Sequence, residues 1–96
     1  MLQGHSILIV EPEVGPFIAR LQAAVDDLGA ETLVVRDPTA ALERCERFSF
    51  SAALVNTDHR PLLDELTARN IPALLYIRAE SPNAIVGSLG RMLSDV

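Results

Sequence analysis

Ile7-Leu8-Ile9-Val10-Glu11-Pro12-Glu13 carries the strongest sign of the chain's architecture. Four apolar residues in a row have no polar face, and they stop abruptly at two carboxylates flanking a proline. A run this short and apolar on both sides fits a strand inside a parallel sheet, covered above and below; it is assigned to 6–11. The period then changes. Val14, Phe17, Ile18, Leu21, Ala24, Val25 and Leu28 recur at steps of three and four, the spacing of an amphipathic helix over 14–28. Pro16 is tolerated only within the first turn of that helix, and Gly29 stands at its stop position.

The alternation repeats along the chain. Thr32-Leu33-Val34-Val35 reads as a second strand, over 31–35. Asp37-Pro38 supplies an N-cap and a first helical residue for a helix over 38–47 carrying Ala41, Leu42 and Cys45. Ala52-Ala53-Leu54-Val55 is a third strand, over 52–56, ending at Asn56-Thr57-Asp58-His59. A helix over 61–69 carries Leu62, Leu63 and Leu66 and fades at Asn70. The fourth strand, over 72–77, has Pro72 at its entrance. Ser81-Pro82 opens a last helix over 82–94 with Ile85, Val86, Leu89, Met92 and Leu93, weakened by Gly87 and Gly90. Strands alternating with helices predict an α/β fold with right-handed crossovers, in a single domain over 1–96.

Composition narrows the function classes. The 96 residues suffice for one small core. At 49% hydrophobic the chain is too apolar for a disordered tail. A net charge of −5 lacks the basic stripe of a nucleic-acid binder and disfavours docking on anionic lipid. One cysteine cannot close an internal disulfide. No apolar run approaches the roughly 20 residues of a membrane span. Met1 to Ser6 lacks a cationic leader segment, so the expected compartment is the cytoplasm. All eight cationic side chains are arginine, which removes any Schiff base, P-loop lysine or lysine general base. Glu-Pro-Glu-Val-Gly follows the first strand where a dinucleotide fold would have GxGxxG.

Ligands of such sheets gather beyond the carboxyl ends of the strands, so those ends hold the candidate residues. Glu11 and Glu13 offer oxygens to a hard cation, or form a solvated loop ahead of a helix whose dipole favours acid. Asp58 and His59 suit an acid/base pair or metal ligation, or belong to a capping segment ahead of Pro61. A guanidinium at Arg78 could hold a carboxylate or phosphate. Cys45 keeps helical step with Leu42 and reads as a small core residue; Tyr76 reads as partly buried in the core. With only two histidines, a histidine-rich metal site is not expected.

Taken in order, these pieces resemble the receiver domain of bacterial response regulators. Ile7 to Glu13 is similar to that family's opening strand and acidic pocket, usually written ILIVEDE. Asp37-Pro38-Thr39-Ala40-Ala41-Leu42 is similar to its "dg.eAl" helix, Phe50 to Asn56 to "fD.alLD", and Ile71 to Ile77 to "iPvi.lT". The resemblance covers nearly the whole chain. It implies a flavodoxin/CheY-like three-layer fold, with about four helices around a parallel sheet of about four strands in the order 2-1-3-4.

The departures from the family carry the functional expectation. The phosphoacceptor aspartate falls on Asn56, and an amide cannot form an acyl phosphate. The second metal-holding acid falls on Pro12, leaving Glu11 and Glu13 as a remnant of the acidic pocket. The phosphate-sensing Ser/Thr falls on Ile77, and the family's lysine has only Arg78 as a stand-in. The resemblance therefore implies a phosphorylation-independent receiver-like module of two-component signalling, with no catalysis, cofactor or metal. Its partner is expected to be a protein: a histidine kinase, another regulator or a second copy. The alternatives are a sensor of small anions in the strand-end crevice near His59 and Arg78, and a displaced phosphoacceptor at Asp58. One helix and one strand of the family are missing after Ile77. That exposes the fourth strand as a sheet edge and leaves the last helix short of a surface to cover. Both needs are met if two chains associate through Leu74, Tyr76, Ile85, Leu89 and Met92.

Overall fold

The computed structural model describes residues 2–94; Met1, the first residue of the opening segment read above, lies outside them. The sheet holds four parallel strands, β1 (Ser6–Val10), β2 (Glu31–Val35), β3 (Ala52–Asn56) and β4 (Ala73–Tyr76), in the order β2-β1-β3-β4. Its four helices are α1 (Pro16–Asp26), α2 (Pro38–Arg47), α3 (Leu62–Ala68) and α4 (Pro82–Ser94). A 3₁₀ turn at Thr57–His59 precedes α3.

Position in the sheet explains the sequence runs. β1 and β3 are central and roofed on both faces, so Ile7 to Val10 and Ala52 to Asn56 are all buried. On one face α1 and α4 pack Leu21, Val25, Ile85, Val86 and Leu89 onto Ile7, Ile9, Ala52, Leu54 and Tyr76. On the other, α2 and α3 pack Ala41, Leu62 and Leu66 onto Leu8, Val10, Ala53 and Val55. The register sets Val10 beside Val55 and Asn56 beside Tyr76, so three neighbouring strands end level with one another.

Local chemistry sets the helix bounds. The Asp37 carboxylate caps α2 by accepting from the Ala40 N–H at 2.8 Å, ahead of Pro38. Ser81 does the same for α4 through Ala84 N–H at 3.1 Å. Past α1 the chain reverses at Gly29 with φ +92°, and a Cβ there would stand 2.7 Å from Gln3 Cγ.

Several expected bounds are corrected. α1 begins at Pro16 and not at 14, because the proline ring fits only the first turn; Val14 is 76% exposed in the preceding loop. α1 also stops at Asp26, short of 28. β1 ends at Val10, before Glu11, and β4 is limited to Ala73–Tyr76. α3 starts at Leu62 after the 3₁₀ turn and ends at Ala68.

A larger correction concerns the last helix. Tyr76, Ile85 and Leu89, expected at a dimer surface, are each 1% exposed or less within a single chain, and Leu74 and Met92 are half-buried beside them. The physical reason is width. Four strands spaced about 4.8 Å apart give a face of about 19 Å, room for two helices of about 10 Å each. α4 therefore covers its own sheet, next to α1. Among the described residues the edge of β4 does stay open, with β3 as its one strand neighbour.

Candidate functional site

Beyond the carboxyl ends of β1, β3 and β4 lies a polar cluster centred on Glu11. The Glu11 side chain is 1% exposed, and an isolated carboxylate buried to that extent is strongly disfavoured. Its neighbours compensate. Oε1 accepts from Asn56 Nδ2 at 2.9 Å and from the Tyr76 hydroxyl at 2.7 Å. Oε2 accepts from the Glu13 backbone N–H at 2.9 Å and from Arg78 Nε at 2.9 Å. Arg78 Nη2 stands 2.9 Å from the same oxygen. A carboxylate offers roughly four lone-pair sites, and these donors take them up.

Each partner is placed by the fold. Asn56, the last residue of β3, is 3% exposed. Its amide works in both directions: Nδ2 donates to Glu11, while Oδ1 accepts the Asp58 N–H at 2.9 Å and caps the 3₁₀ turn. A carboxylate at this position could not donate while ionised. Tyr76 ends β4 opposite Asn56, its ring stacked on Phe17 of α1 with centroids 5.7 Å apart. Arg78, two residues on, aims its guanidinium back over the strand ends. Nε and Nη2 meet Glu11, Nη1 meets Glu13 Oε2 at 3.1 Å, and Nη2 lies 3.8 Å from Asp58 Oδ2.

The protonation states follow. Burial pushes the Glu11 carboxyl up, but the hydrogen bonds from Asn56, the Glu13 N–H, Tyr76 and Arg78 outweigh it, so it lies below its ordinary value and stays ionised. Burial, then the hydrogen bond to Glu11, pushes the Tyr76 phenol far above its usual range. The hydrogen bond to Glu11 raises Arg78 further.

The structure thus brings together Glu11, Glu13, Asn56, Asp58 and Arg78 from the carboxyl ends of three strands and the segments that follow them. Pro12 is half-buried between the two glutamates and offers no ligand atom. Ile77 is 46% exposed, and its N–H faces Glu80 Oε1 at 3.4 Å, away from the cluster. His59 lies in a separate cleft of ≈350 Å³ between α2 and α3, lined also by Pro38, Leu42, Asp58, Leu62 and Glu65. Its Nε2 is buried and has no hydrogen-bond partner among the described residues. Cys45 is half-buried in the α2 layer, where burial pushes its thiol up. Among the described residues no group of three or more His, Cys, Asp or Glu is arranged to hold a metal ion. Among them, too, no helix is long and apolar enough to cross a membrane.

One member of the cluster was missed by sequence reading. Tyr76 looked like core or edge, whereas its hydroxyl makes the shortest contact to Glu11. The available signal was its place at the carboxyl end of a strand: the side chain points into the core, yet its tip reaches the polar strand ends.

No protein-family model matches the chain, and no curated protein matches it. Among solved structures the fold is similar to the crystal structure of a sensor protein from Polaromonas sp. JS666, with a TM-score of 0.78 at 20% sequence identity. The match covers 96% of this chain and 98% of that chain. The chain is therefore similar in fold to that sensor protein over nearly the full length of both chains.

Proposed function

We propose that the chain is a receiver-like domain whose phosphorylation pocket has been replaced by an internal ion pair. It acts as a non-catalytic protein-interaction module in bacterial two-component signalling. The observation that carries this reading is the saturation of Glu11. Asn56, Tyr76, Arg78 and the Glu13 N–H occupy the carboxylate that would otherwise bind a divalent cation. Arg78 fills the cation's electrostatic role while attached to the chain. Asn56, at the acceptor position, is an amide engaged at both ends. The sheet order and the sensor protein of similar fold support the signalling context. Each guanidinium nitrogen of Arg78 already has a carboxylate partner, which weighs against a sensor of free anions at this crevice. A histidine kinase or another regulator remains the expected class of external partner.

The test is incubation with acetyl phosphate and Mg²⁺, and separately with beryllofluoride and Mg²⁺. Tyr76 fluorescence is a local reporter, because Tyr76 is the single tyrosine and there is no tryptophan. The expected result is no acid-labile phosphate and no Mg²⁺-dependent change in emission. Stoichiometric labelling overturns the proposal, and labelling abolished by Asp58→Asn would move the acceptor to that residue.

A further inference from the structure

We propose that the open edge of β4 binds a second copy of this chain, antiparallel about a two-fold axis at Leu74. This joins two four-strand sheets into one. The inference rests on the reading of the domain as an interaction module and names the partner.

The backbone supplies the register. Ala53 N–H donates to the Pro72 carbonyl. In a parallel ladder, alternate residues face the same neighbour, so Pro72, Leu74 and Tyr76 face β3. Ala73 and Leu75 direct their N–H and C=O outward, where no strand meets them. A two-fold axis at Leu74 sets Ala73 of one copy opposite Leu75 of the other. Each such pair exchanges both backbone hydrogen bonds, with Leu74 facing Leu74 between them. The edge is thus complementary to itself.

Charge and edge chemistry favour this contact over others. Ile71 to Ile77 carries no charged side chain in a molecule of net charge −5, so this strand brings no like charges together when two copies meet. Proline commonly guards an edge by removing an outward N–H, but Pro72 faces β3 and leaves the outer edge unguarded. The opposite edge, β2, is protected. Glu31 is exposed, and the Thr32 hydroxyl is held by Gln22 at 3.0 Å and Asp26 at 3.1 Å. Pairing β4 with β2 would also build an open chain of molecules, whereas the two-fold contact closes on itself.

The strand alone is too short for a stable dimer, which buries about 1,200–2,000 Å² in total. α4 supplies more surface. Pro82, Asn83 and Val86 line its groove with α1, so the helical period turns Ala84 and Ser88 toward the β4 side. Their small side chains allow a second α4 to approach. The expected dimer is accordingly weak, with micromolar dissociation.

Sedimentation of the full chain from micromolar to submillimolar concentration should show a monomer–dimer equilibrium. In a Cys45→Ser background, Leu74→Cys should crosslink under mild oxidation, because facing non-hydrogen-bonded residues lie about 4.5 Å apart at Cα, within disulfide range. Leu75→Cys, which faces residue 73 of the other copy, should not crosslink. Leu74→Arg should give a monomer with an unchanged far-UV spectrum; if it fails to fold, the cysteine pair decides. A monomer throughout overturns the inference, as does an oligomer larger than a dimer. So does a dimer that crosslinks through Leu75→Cys and not Leu74→Cys. A labelled pocket with an intact dimer sinks the proposed function alone; a silent pocket with a monomer sinks the dimer alone.

Discussion

Asn56→Asp restores the residue type that a phosphoacceptor needs, and the structure says it should harm the protein. The Asn56 amide nitrogen donates to Glu11 Oε1 at 2.9 Å. Replacing it with a carboxylate sets two anions at that distance in a buried site. At an effective dielectric of about 20, their repulsion would be about 6 kcal/mol. The pair escapes the full cost by taking up one proton. At pH 7, protonating a carboxyl of ordinary pKa near 4 costs about 1.4 kcal/mol per pH unit, or about 4 kcal/mol in all. That is the expected loss, a large share of a total stability of about 5–15 kcal/mol. The sign of its pH dependence follows. The shared proton raises the pair's folded-state pKa above the unfolded value, so the folded variant binds more protons than the unfolded chain. Its stability therefore falls as pH rises between those values. The deficit relative to wild type should shrink by about 1.4 kcal/mol per unit between pH 7 and pH 5. Urea unfolding followed by Tyr76 fluorescence and far-UV circular dichroism measures it. A deficit below about 1 kcal/mol at pH 7, or one that does not vary with pH, refutes the reasoning. Recovery on adding Mg²⁺ would show that Arg78 does not fill the cation position.

Other outcomes follow from the same contacts. Tyr76 should resist ionisation in a spectrophotometric alkaline titration, turning phenolate only as the fold is lost; a free titration near pH 10 would show its hydroxyl is not held by Glu11. Glu11 lies below its ordinary value of 4.5, so its stabilising contribution is present above that pH and lost as pH falls through the folded value. Arg78→Gln removes a donor and should move the acid-unfolding midpoint to higher pH; an unchanged midpoint would show that Arg78 does not stabilise the ionised form. Asp37→Ala removes the α2 cap and should cost about 1 kcal/mol by chemical denaturation, with a cost near zero counting against the capping bond.

The fold was legible because its signals were local. The unbroken apolar runs at Ile7 to Val10 and Ala52 to Val55 announce strands covered on both faces, and Asp37-Pro38 and Ser81-Pro82 mark helix starts. The apolar period reaches back to Val14, but the steric rule that confines Pro16 to a first turn is the one the structure obeys. The fate of α4 was not local. Whether Ile85 and Leu89 find cover within one chain depends on sheet width and helix packing, which no spacing reports. The site was half legible. Glu11, Asn56 and Arg78 were each singled out, but their mutual pairing arises from strand register, and Tyr76 joins them because β3 and β4 end level.

The Glu11 cluster also bears on how the chain assembles in time. Its hydrogen bonds join residues 45, 65 and 67 positions apart in sequence, reaching from the end of β1 to the ends of β3 and β4 and beyond. The Asn56 bond needs β1 and β3 paired, and the Tyr76 and Arg78 bonds also need β4 docked, so the cluster contributes little to an early nucleus and is completed late. An interaction absent from the transition state acts on escape from the native state, not on its formation. The polar stitch would then act as a latch on unfolding. Weakening it, as in Glu11→Gln, should steepen the loss of native lifetime while leaving the refolding limb of the chevron in place; a slowed refolding limb would put the stitch in the nucleus instead.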